Sequence, residues 1–350
     1  MKFKKFVIRL ILFTVFSNSV FAAELTANER LIKQSILYAA GNNYLENAYY
    51  ANGKILRWNT TEFPIKVFID NSVNAPDYYN YAFIRAVLIW QSALKDILSI
   101  DFTANETEAD IVFKVTDNRK LIRKIEDHES TVLAYTSPVI NKNILKKQLI
   151  CVYQKNRDNQ YYKPHQILNI ALHEFGHALG IMGHSGDKTS IMYALYGMDN
   201  DKKSGFISRA DINTIMLLYK VKPDITNGDV SKETGTIRAE LLLGDTKERE
   251  DVAIQKALNE IKIKPKDCLS RLKLAVLYEE KNNYPKMLNA IKEAEPLAQT
   301  NEEIYSVYVS YAYYYFAVKN KQNAKKYLEK ALQIKNDGSL KELQFYINKL

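Results

Sequence analysis

The chain has 350 residues, 47% of them hydrophobic and 25% charged, which is typical of a folded protein of about two domains and excludes collagen-like, coiled-coil and wholly disordered chains. Its two cysteines, Cys151 and Cys268, are too few for a disulfide framework or for a zinc site built from several thiolates. The formal net charge is +9, but the first 22 residues hold four basic side chains and no acidic one, and the remaining 45 basic and 40 acidic side chains are too evenly balanced to indicate nucleic acid or an anionic membrane as a partner.

The N-terminus predicts an exported protein. Residues 1–5 are basic, residues 6–16 are almost entirely apolar, and small residues precede a cleavage position after Ala22, which is the pattern of a secretory signal peptide. The apolar stretch of 11 residues is well short of the roughly 20 that span a bilayer. We therefore expect a signal peptide over residues 1–22 and a secreted or periplasmic protein without stable insertion in a membrane.

Residues 23–54 predict a helical pre-segment. An amphipathic stretch at residues 31–40 precedes a turn signal at Asn52-Gly53. The chain after it alternates between strand and helix patterns. Four short segments rich in β-branched or aromatic residues predict strands: residues 65–69, 111–115, 131–135 and 149–153.

Three helices are predicted among these strands. Apolar residues at helical spacing around Trp90 predict a long helix that begins near Pro76. A second helix begins at Pro164 and is apolar on almost every side up to Gly180, which indicates burial against the sheet. A capping-box pattern at Ser208 begins a third helix. Together these elements predict one α+β domain over residues 55–221.

The remaining sequence predicts a linker over residues 222–245 and an all-α domain over residues 246–350. Ala257, Ala294 and Ala331 are each 37 residues apart, which indicates an internal repeat. The region resembles tetratricopeptide repeats, helix-turn-helix units of about 34 residues that form a concave surface for peptides or proteins. Five tyrosines are too many for one packed face, so we expect some of them to be exposed: Tyr308, Tyr311, Tyr313, Tyr314 and Tyr315.

A twelve-residue motif, HEFGHALGIMGH, begins at His173. His173 and His177 are about one helical turn apart on the same face, so both imidazoles can bind one ion. Glu174, beside the first ligand, can accept a proton from a bound water. Gly180 allows the turn that ends a helix, after which His184 can return to the ion. Three nitrogen ligands leave one tetrahedral position open, which predicts one catalytic Zn²⁺ rather than a structural ion.

This motif matches the zinc signature of the metzincins, and its surroundings resemble the matrixin branch of that family. Ser185 follows the third histidine, and residues 190–193 (SIMY) are similar to the matrixin Met-turn. Further similar segments lie in the same order across residues 56–219. The resemblance implies a zinc endopeptidase with the zincin fold, a twisted mixed sheet with three helices above an active-site cleft.

The resemblance also implies a role for each matching residue. His173, His177 and His184 would be the zinc ligands, Glu174 would be the general base, and Met192 would lie beneath the metal. An extended peptide would pair with the backbone of the edge strand predicted at residues 131–135. Substrate contacts would come from Leu133 and Ala134 on that strand, and from Ala194, Leu195 and Tyr196 around the pocket for the side chain after the scissile bond.

Several positions depart from the family pattern. Only His128 and His165 remain outside the motif, and they cannot complete the second, structural zinc site usual in matrixins. A calcium site at residues 199–201 is an alternative that nothing else in the sequence supports, because a solvated loop explains the same residues. No cysteine precedes Cys151, so latency through a pro-segment cysteine is not expected, although residues 23–54 could cover the cleft in another way.

These patterns support two functions from different classes. The first is an exported zinc endopeptidase that acts on a protein or peptide substrate, with the helical repeats recruiting that substrate or a protein partner. The alternative is an exported partner-binding repeat protein whose zinc domain is structural or retired. The repeats favour the alternative, whereas Glu174 favours the peptidase, because a retired site has no need for a carboxylate beside the metal.

Overall fold

The structure, a computed structural model, describes residues 27–50, 53–59, 64–94, 97–117, 133–141, 143–156, 158–194, 205–232, 237–336 and 340–350. The predicted signal peptide lies outside these residues, as do His128 and the candidate calcium loop at residues 199–201. Within the described part of the chain, none of the helices combines the length and the apolar character needed to cross a bilayer.

A five-stranded mixed sheet forms the centre of the first domain, with strand order β2-β1-β3-β5-β4. Strands β1, β2, β3 and β5 are parallel, while β4 runs antiparallel to β5 and forms one edge of the sheet. The strands are β1 (Ile65–Ile69), β2 (Ile100–Phe102), β3 (Ile111–Thr116), β4 (Ala134–Asn141) and β5 (Ile144–Tyr153).

The predicted α+β class is confirmed, and the strands differ from the predictions in three places. Strand β4 begins at Ala134, later than the predicted segment, and β5 begins at Ile144, earlier than predicted. Strand β2 was not predicted, because it has only three residues and is stabilised by parallel pairing with β1 rather than by its own pattern.

Three helices complete this domain, at the places predicted: α2 (Tyr78–Leu94), α3 (Pro164–Ala178) and α4 (Arg209–Leu218). Helices α2 and α3 pack side by side on one face of the sheet, where a ring from each helix stacks with the same ring on β3. The ring of Phe113 on β3 lies 4.8 Å from that of Phe83 on α2 and 5.8 Å from that of Phe175 on α3, measured between centroids. The indole of Trp90 donates to the carbonyl oxygen of Leu172 at 3.0 Å, which joins α2 to α3.

The N-terminal segment packs into the same core. Helix α1 (Ala27–Ala40) is followed by a short 3-10 turn, Leu45–Asn47. Tyr44, Leu45 and Ala48 are buried among the core residues of the first domain. The end of the predicted pre-segment, around residues 44–48, therefore packs into the interior of the first domain.

The C-terminal region is a series of helices packed against their neighbours. These helices are α5 (Ala239–Leu243), α6 (Thr246–Ile263), α7 (Cys268–Glu280), α8 (Tyr284–Ala294), α9 (Asn301–Ala317), α10 (Lys321–Ile334) and α11 (Lys341–Lys349). The evenly spaced Ala257, Ala294 and Ala331 are all fully buried. Small side chains at these positions allow close approach of helices, but the tetratricopeptide resemblance stays a prediction.

The expectation of exposed tyrosines on α9 is wrong. Tyr311 and Tyr313 are buried and the other three are half-buried. The reason lies on the next helix: the ring of Tyr327 on α10 stacks with Tyr311 at 4.5 Å and with Tyr315 at 5.5 Å between centroids. The extra rings therefore fill the space between two helices.

A buried arginine joins the two regions. Arg249 on α6 is fully buried. Its guanidinium donates to the carbonyl oxygens of Gly53 at 2.7 Å and Gly244 at 2.9 Å, and to Asp224 Oδ2 at 2.9 Å. That carboxylate oxygen also accepts the main-chain N–H of Ile55 at 2.8 Å. The helical region is thereby attached to the start of the first domain.

Candidate metal centre

Helix α3 carries the first part of the site, and its two ends are well defined. Pro164 occupies the first turn, where no hydrogen-bond donor is needed. The Gln166 side chain accepts the N–H of Lys163 at 2.9 Å. At the other end Gly180 has a φ of +117°, and an added Cβ would lie 2.5 Å from the carbonyl oxygen of Leu56. Only glycine fits this position, so the helix ends there and the chain turns back.

The structure brings the three predicted histidines together. One possible ligand atom from each of His173, His177 and His184 lies within 4.8 Å of the others. The Nε2 atoms of His173 and His177 are 3.1 Å apart. The ring centroid of His184 lies 5.2 Å from that of His173 and 4.9 Å from that of His177. The turn after Gly180 thus returns the third ring to the first two.

Main-chain carbonyl groups fix the tautomers of the two helical histidines. His173 Nδ1 lies 2.7 Å from the carbonyl oxygen of Ile191, and His177 Nδ1 lies 2.5 Å from that of Ile181. A carbonyl oxygen can only accept, so each Nδ1 carries the proton. Each Nε2 therefore presents a lone pair to the centre of the cluster, as a metal-ligating histidine does.

These groups fit a metal ion with nitrogen ligands. Two lone pairs that face each other across 3.1 Å repel unless a cation lies between them. Burial, followed by the charge of neighbouring imidazoles, lowers the pKa of His177 well below its usual value. Burial, the charge of His173 and that of Lys273 lower the pKa of His184 to about 4. Neutral imidazoles are the form that binds a metal.

Glu174 is buried beside the three histidines. Burial raises its pKa to about 7, although a hydrogen bond from the Thr136 side chain opposes the shift. The Thr136 hydroxyl donates to Oε2 at 2.6 Å. The other oxygen, Oε1, accepts no hydrogen bond from the residues that the structure describes. A carboxylate with one oxygen held and the other unused can exchange a proton with a ligand in the cleft.

The Met-turn supports the helix from below. Met192 is fully buried, and a Cβ added at Gly176 would lie 2.4 Å from its sulfur. Its main-chain oxygen accepts the N–H of Ser185 at 2.8 Å, which ties the turn to the segment carrying the third ligand. The same turn supplies the Ile191 carbonyl that fixes His173. Met192 therefore packs against helix α3 at Gly176, the residue before His177.

A buried carboxylate anchors this turn to the rest of the domain. Asp211 on α4 is fully buried and accepts hydrogen bonds from the Ser190 hydroxyl and from the main-chain N–H of Ile191, the latter at 3.2 Å. The Tyr44 hydroxyl also donates to it, at 2.6 Å. The sequence identified Asp211 only as part of a helix cap, and no local pattern could reveal its long-range partners.

The loop that carries His184 lies directly against the N-terminal segment. A Cβ added at Gly183 would lie 1.6 Å from the main-chain oxygen of Asn47, far closer than any real contact. Met182 donates its N–H to the carbonyl oxygen of Ala48 at 3.4 Å. The segment before the domain thus sets the path of the third-ligand loop, a role that the sequence did not predict.

The candidate substrate residues are only partly described. The carbonyl oxygen of Leu133 accepts the N–H of Tyr153 at 3.0 Å. Because hydrogen bonding alternates along an antiparallel pair, the main-chain groups of Ala134 and Thr136 point away from β5, towards the edge of the sheet that no described strand covers. Ala194 is exposed after the Met-turn, and Leu195 and Tyr196 lie outside the described residues.

Comparisons with known proteins agree with this geometry. Residues 57–220 match the family described as Matrixin. The chain is also 39% identical over 67 residues to Matrix metalloproteinase-18 of Xenopus laevis, a match that covers 18% of this chain and 14% of that protein. The matched part of the chain contains all three histidines, Glu174 and Met192.

Proposed function

We propose that residues 57–220, which match the Matrixin family, are a zinc endopeptidase domain with His173, His177 and His184 as ligands and Glu174 as general base. One observation carries the proposal: two imidazoles whose Nδ1 atoms are held by carbonyl groups direct their Nε2 atoms to one point. Glu174, next along the helix, is buried with a pKa raised to about 7.

When bound, zinc supplies a Lewis acid that polarises a peptide carbonyl and acidifies the attacking water. Glu174 accepts a proton from that water while the oxygen of the water bonds to the carbonyl carbon. It then delivers the proton to the leaving amine as the C–N bond breaks, so the carboxylate is regenerated.

Strand β4 is the proposed substrate-binding strand, and the peptide would bind along its outer edge. The outward main-chain groups of Ala134 and Thr136 can pair with an extended peptide as an added strand. Leu133 lies at the start of this strand. The pocket for the side chain after the scissile bond would be lined by Ala194, Leu195 and Tyr196.

We further propose that the helical region binds an extended apolar segment of the same protein substrate. A cavity of about 350 Å³ lies among α7, α8 and α9 and is lined mostly by apolar side chains, including Leu272, Val276 and Val309. Tyr50 of the N-terminal segment and Lys273 also line it. Lys273, which lines the cavity, also contributes to lowering the pKa of His184.

Export remains part of the proposal and rests on the N-terminal pattern, which predicts a secreted or periplasmic enzyme. The alternative function, partner binding by a protein with a retired or structural zinc domain, is less well supported. It gives no reason for a carboxylate that is buried beside the ligands and has one oxygen held and the other unused.

Digestion of a peptide library, analysed by mass spectrometry, separates the two functions. We expect the zinc-loaded protein to yield products that a chelator abolishes. Glu174→Ala should bind zinc at the parent stoichiometry while the rate falls by about 10²–10⁴, the usual contribution of a general base. An absence of zinc-dependent products from the parent would favour the partner-binding alternative, and cleavage by Glu174→Ala at the parent rate would exclude the assigned role.

A second measurement tests the helical cavity. Val276→Lys places a charge in the cavity, and Val252→Lys, at an exposed position on α6, is the matched control. We expect Val276→Lys to lower the ratio of kcat/KM for casein to kcat/KM for an eight-residue peptide about tenfold, because only the longer chain reaches the cavity. An unchanged ratio would exclude the cavity as a substrate-binding surface.

A further inference from the structure

Thr136 is the described side chain that holds the carboxylate of Glu174. Its hydroxyl lies 2.6 Å from Oε2 and 3.0 Å from the main-chain oxygen of the same residue. A hydroxyl has one proton, and the shorter distance is typical of a bond to an ionised carboxylate. The two residues are 38 positions apart in the chain, so this contact exists only in the folded domain.

Two properties make Thr136 a rigid support. A β-branched side chain has few χ1 rotamers, so its hydroxyl stays in one place relative to the backbone. That backbone is fixed in turn, because β4 is paired along its length with β5, and Thr136 lies opposite Ile150. Glu174, by contrast, has three rotatable side-chain bonds, and one oxygen must be held if the other is to face the cleft.

We propose that Thr136 is a positioning residue that fixes Oε2 of Glu174 and thereby directs Oε1 towards the water in the cleft. The inference rests on the proposed endopeptidase function and adds a requirement to it. The main-chain groups of Thr136 also face the free edge of β4, where the peptide would pair. One residue therefore sets both the register of the bound peptide and the direction of the base.

Kinetics of two variants test the proposal. Thr136→Val keeps the shape of the side chain and removes the hydroxyl, whereas Thr136→Ser keeps the hydroxyl. We expect Thr136→Val to lower kcat about 30-fold with KM changed less than about twofold, because a misplaced catalytic group costs rate rather than binding. Thr136→Ser should recover most of the parent kcat.

The control separates positioning from effects on the strand. Ser137 is exposed and its side chain points to the opposite face of β4, so Ser137→Val makes a comparable change without touching Glu174. We expect its kcat to stay within about twofold of the parent. Zinc stoichiometry and melting temperature of Thr136→Val should match those of Ser137→Val.

A structural readout completes the test. In crystals of the metal-free proteins, the Glu174 carboxylate should occupy its parent position in Thr136→Ser and leave it in Thr136→Val. An unmoved carboxylate in Thr136→Val, a parent-like kcat in that variant, or equal loss in Thr136→Ser would each overturn the inference. If the parent cleaves no faster than Glu174→Ala, the endopeptidase function fails, and the crystals still decide whether Thr136 holds the carboxylate.

Discussion

The metal centre and the helical region are held in place by different interactions. In the centre, three of the key side chains are fixed by directional hydrogen bonds: His173 to Ile191, His177 to Ile181, and Glu174 to Thr136. In residues 246–350, buried alanines and stacked tyrosines determine how the helices pack. Directional bonds place individual atoms, whereas apolar packing places whole helices and tolerates exchange of side chains. We therefore expect substitutions in the two regions to differ in both size and kind of effect.

The largest effect is expected where the third-ligand loop meets the N-terminal segment. Gly183→Ala must move either the loop or Asn47, because the added Cβ would lie 1.6 Å from a main-chain oxygen. We expect a loss of about 4 kcal/mol in the free energy of unfolding together with loss of stoichiometric zinc. Denaturant unfolding and metal analysis measure both quantities.

Gly186→Ala is the control for that prediction, because it lies in the same loop and an added Cβ would have nothing within 4 Å. Its stability and zinc content should match the parent. Equal stability of Gly183→Ala and Gly186→Ala would show that the loop is not constrained by the N-terminal segment.

The next largest effect is expected at the junction between the regions. Arg249→Met removes a buried cation and, with it, the hydrogen bonds to Asp224 and to two carbonyl groups. We expect a loss of about 3 kcal/mol, the lower end of the cost of breaking a buried ion pair. Calorimetry should then resolve two transitions for the variant, whereas we expect a single transition for the parent. A single parent-like transition would mean that other contacts suffice to couple the regions.

The metal-free centre should make stability depend on pH. The pKa values of the three histidines are lowered by folding, so the stability they contribute is present above their unfolded value of about 6.5 and is lost as the pH falls towards 4. Glu174 acts in the opposite direction, because its pKa is raised to about 7. It stabilises the folded state most in acid, and that contribution is lost as the pH rises from about 4.5 through 7.

Because three histidines destabilise the fold in acid and only Glu174 opposes them, the free energy of unfolding should fall by about 1–2 kcal/mol between pH 7 and pH 5. Glu174→Gln removes the opposing contribution, so the loss in that variant should be larger. Chemical denaturation of the chelated protein at the two pH values measures it. If acid lowered the free energy of unfolding less in Glu174→Gln than in the parent, this assignment of the pH dependence would be wrong.

The smallest effect is expected inside the helical region. Ala294→Leu overfills a fully buried position and should cost about 1 kcal/mol, because helices can shift to accept the larger side chain. Peptide cleavage and zinc content should stay at the parent level. Loss of zinc from this variant would show that helix packing reaches the metal centre and would remove the contrast between the regions.

The sequence predicted the parts of the site that depend on local spacing. His173 and His177 lie on one helical face, and Gly180 is followed by the turn that returns His184, because each relation spans only a few residues. The three helices were also predicted near their observed positions, since apolar spacing and caps are local signals.

Features that depend on distant partners were not predicted. Strand β2 exists through its pairing with β1, and the tyrosines of α9 are covered by Tyr327 from the next helix. Thr136 and Glu174 are joined only when β4 lies against α3. No periodicity within either segment contains this information, because these contacts follow from tertiary packing.

The buried N-terminal segment has a practical consequence for fragments of this protein. A recombinant piece that began at the matched boundary, residue 57, would uncover the apolar surface now protected by Tyr44, Leu45 and Ala48. It would also deprive the Asp211 carboxylate of the phenol that donates to it. A recombinant fragment should therefore begin upstream of Gly41. We expect a fragment that begins later to aggregate even if its three histidines are intact.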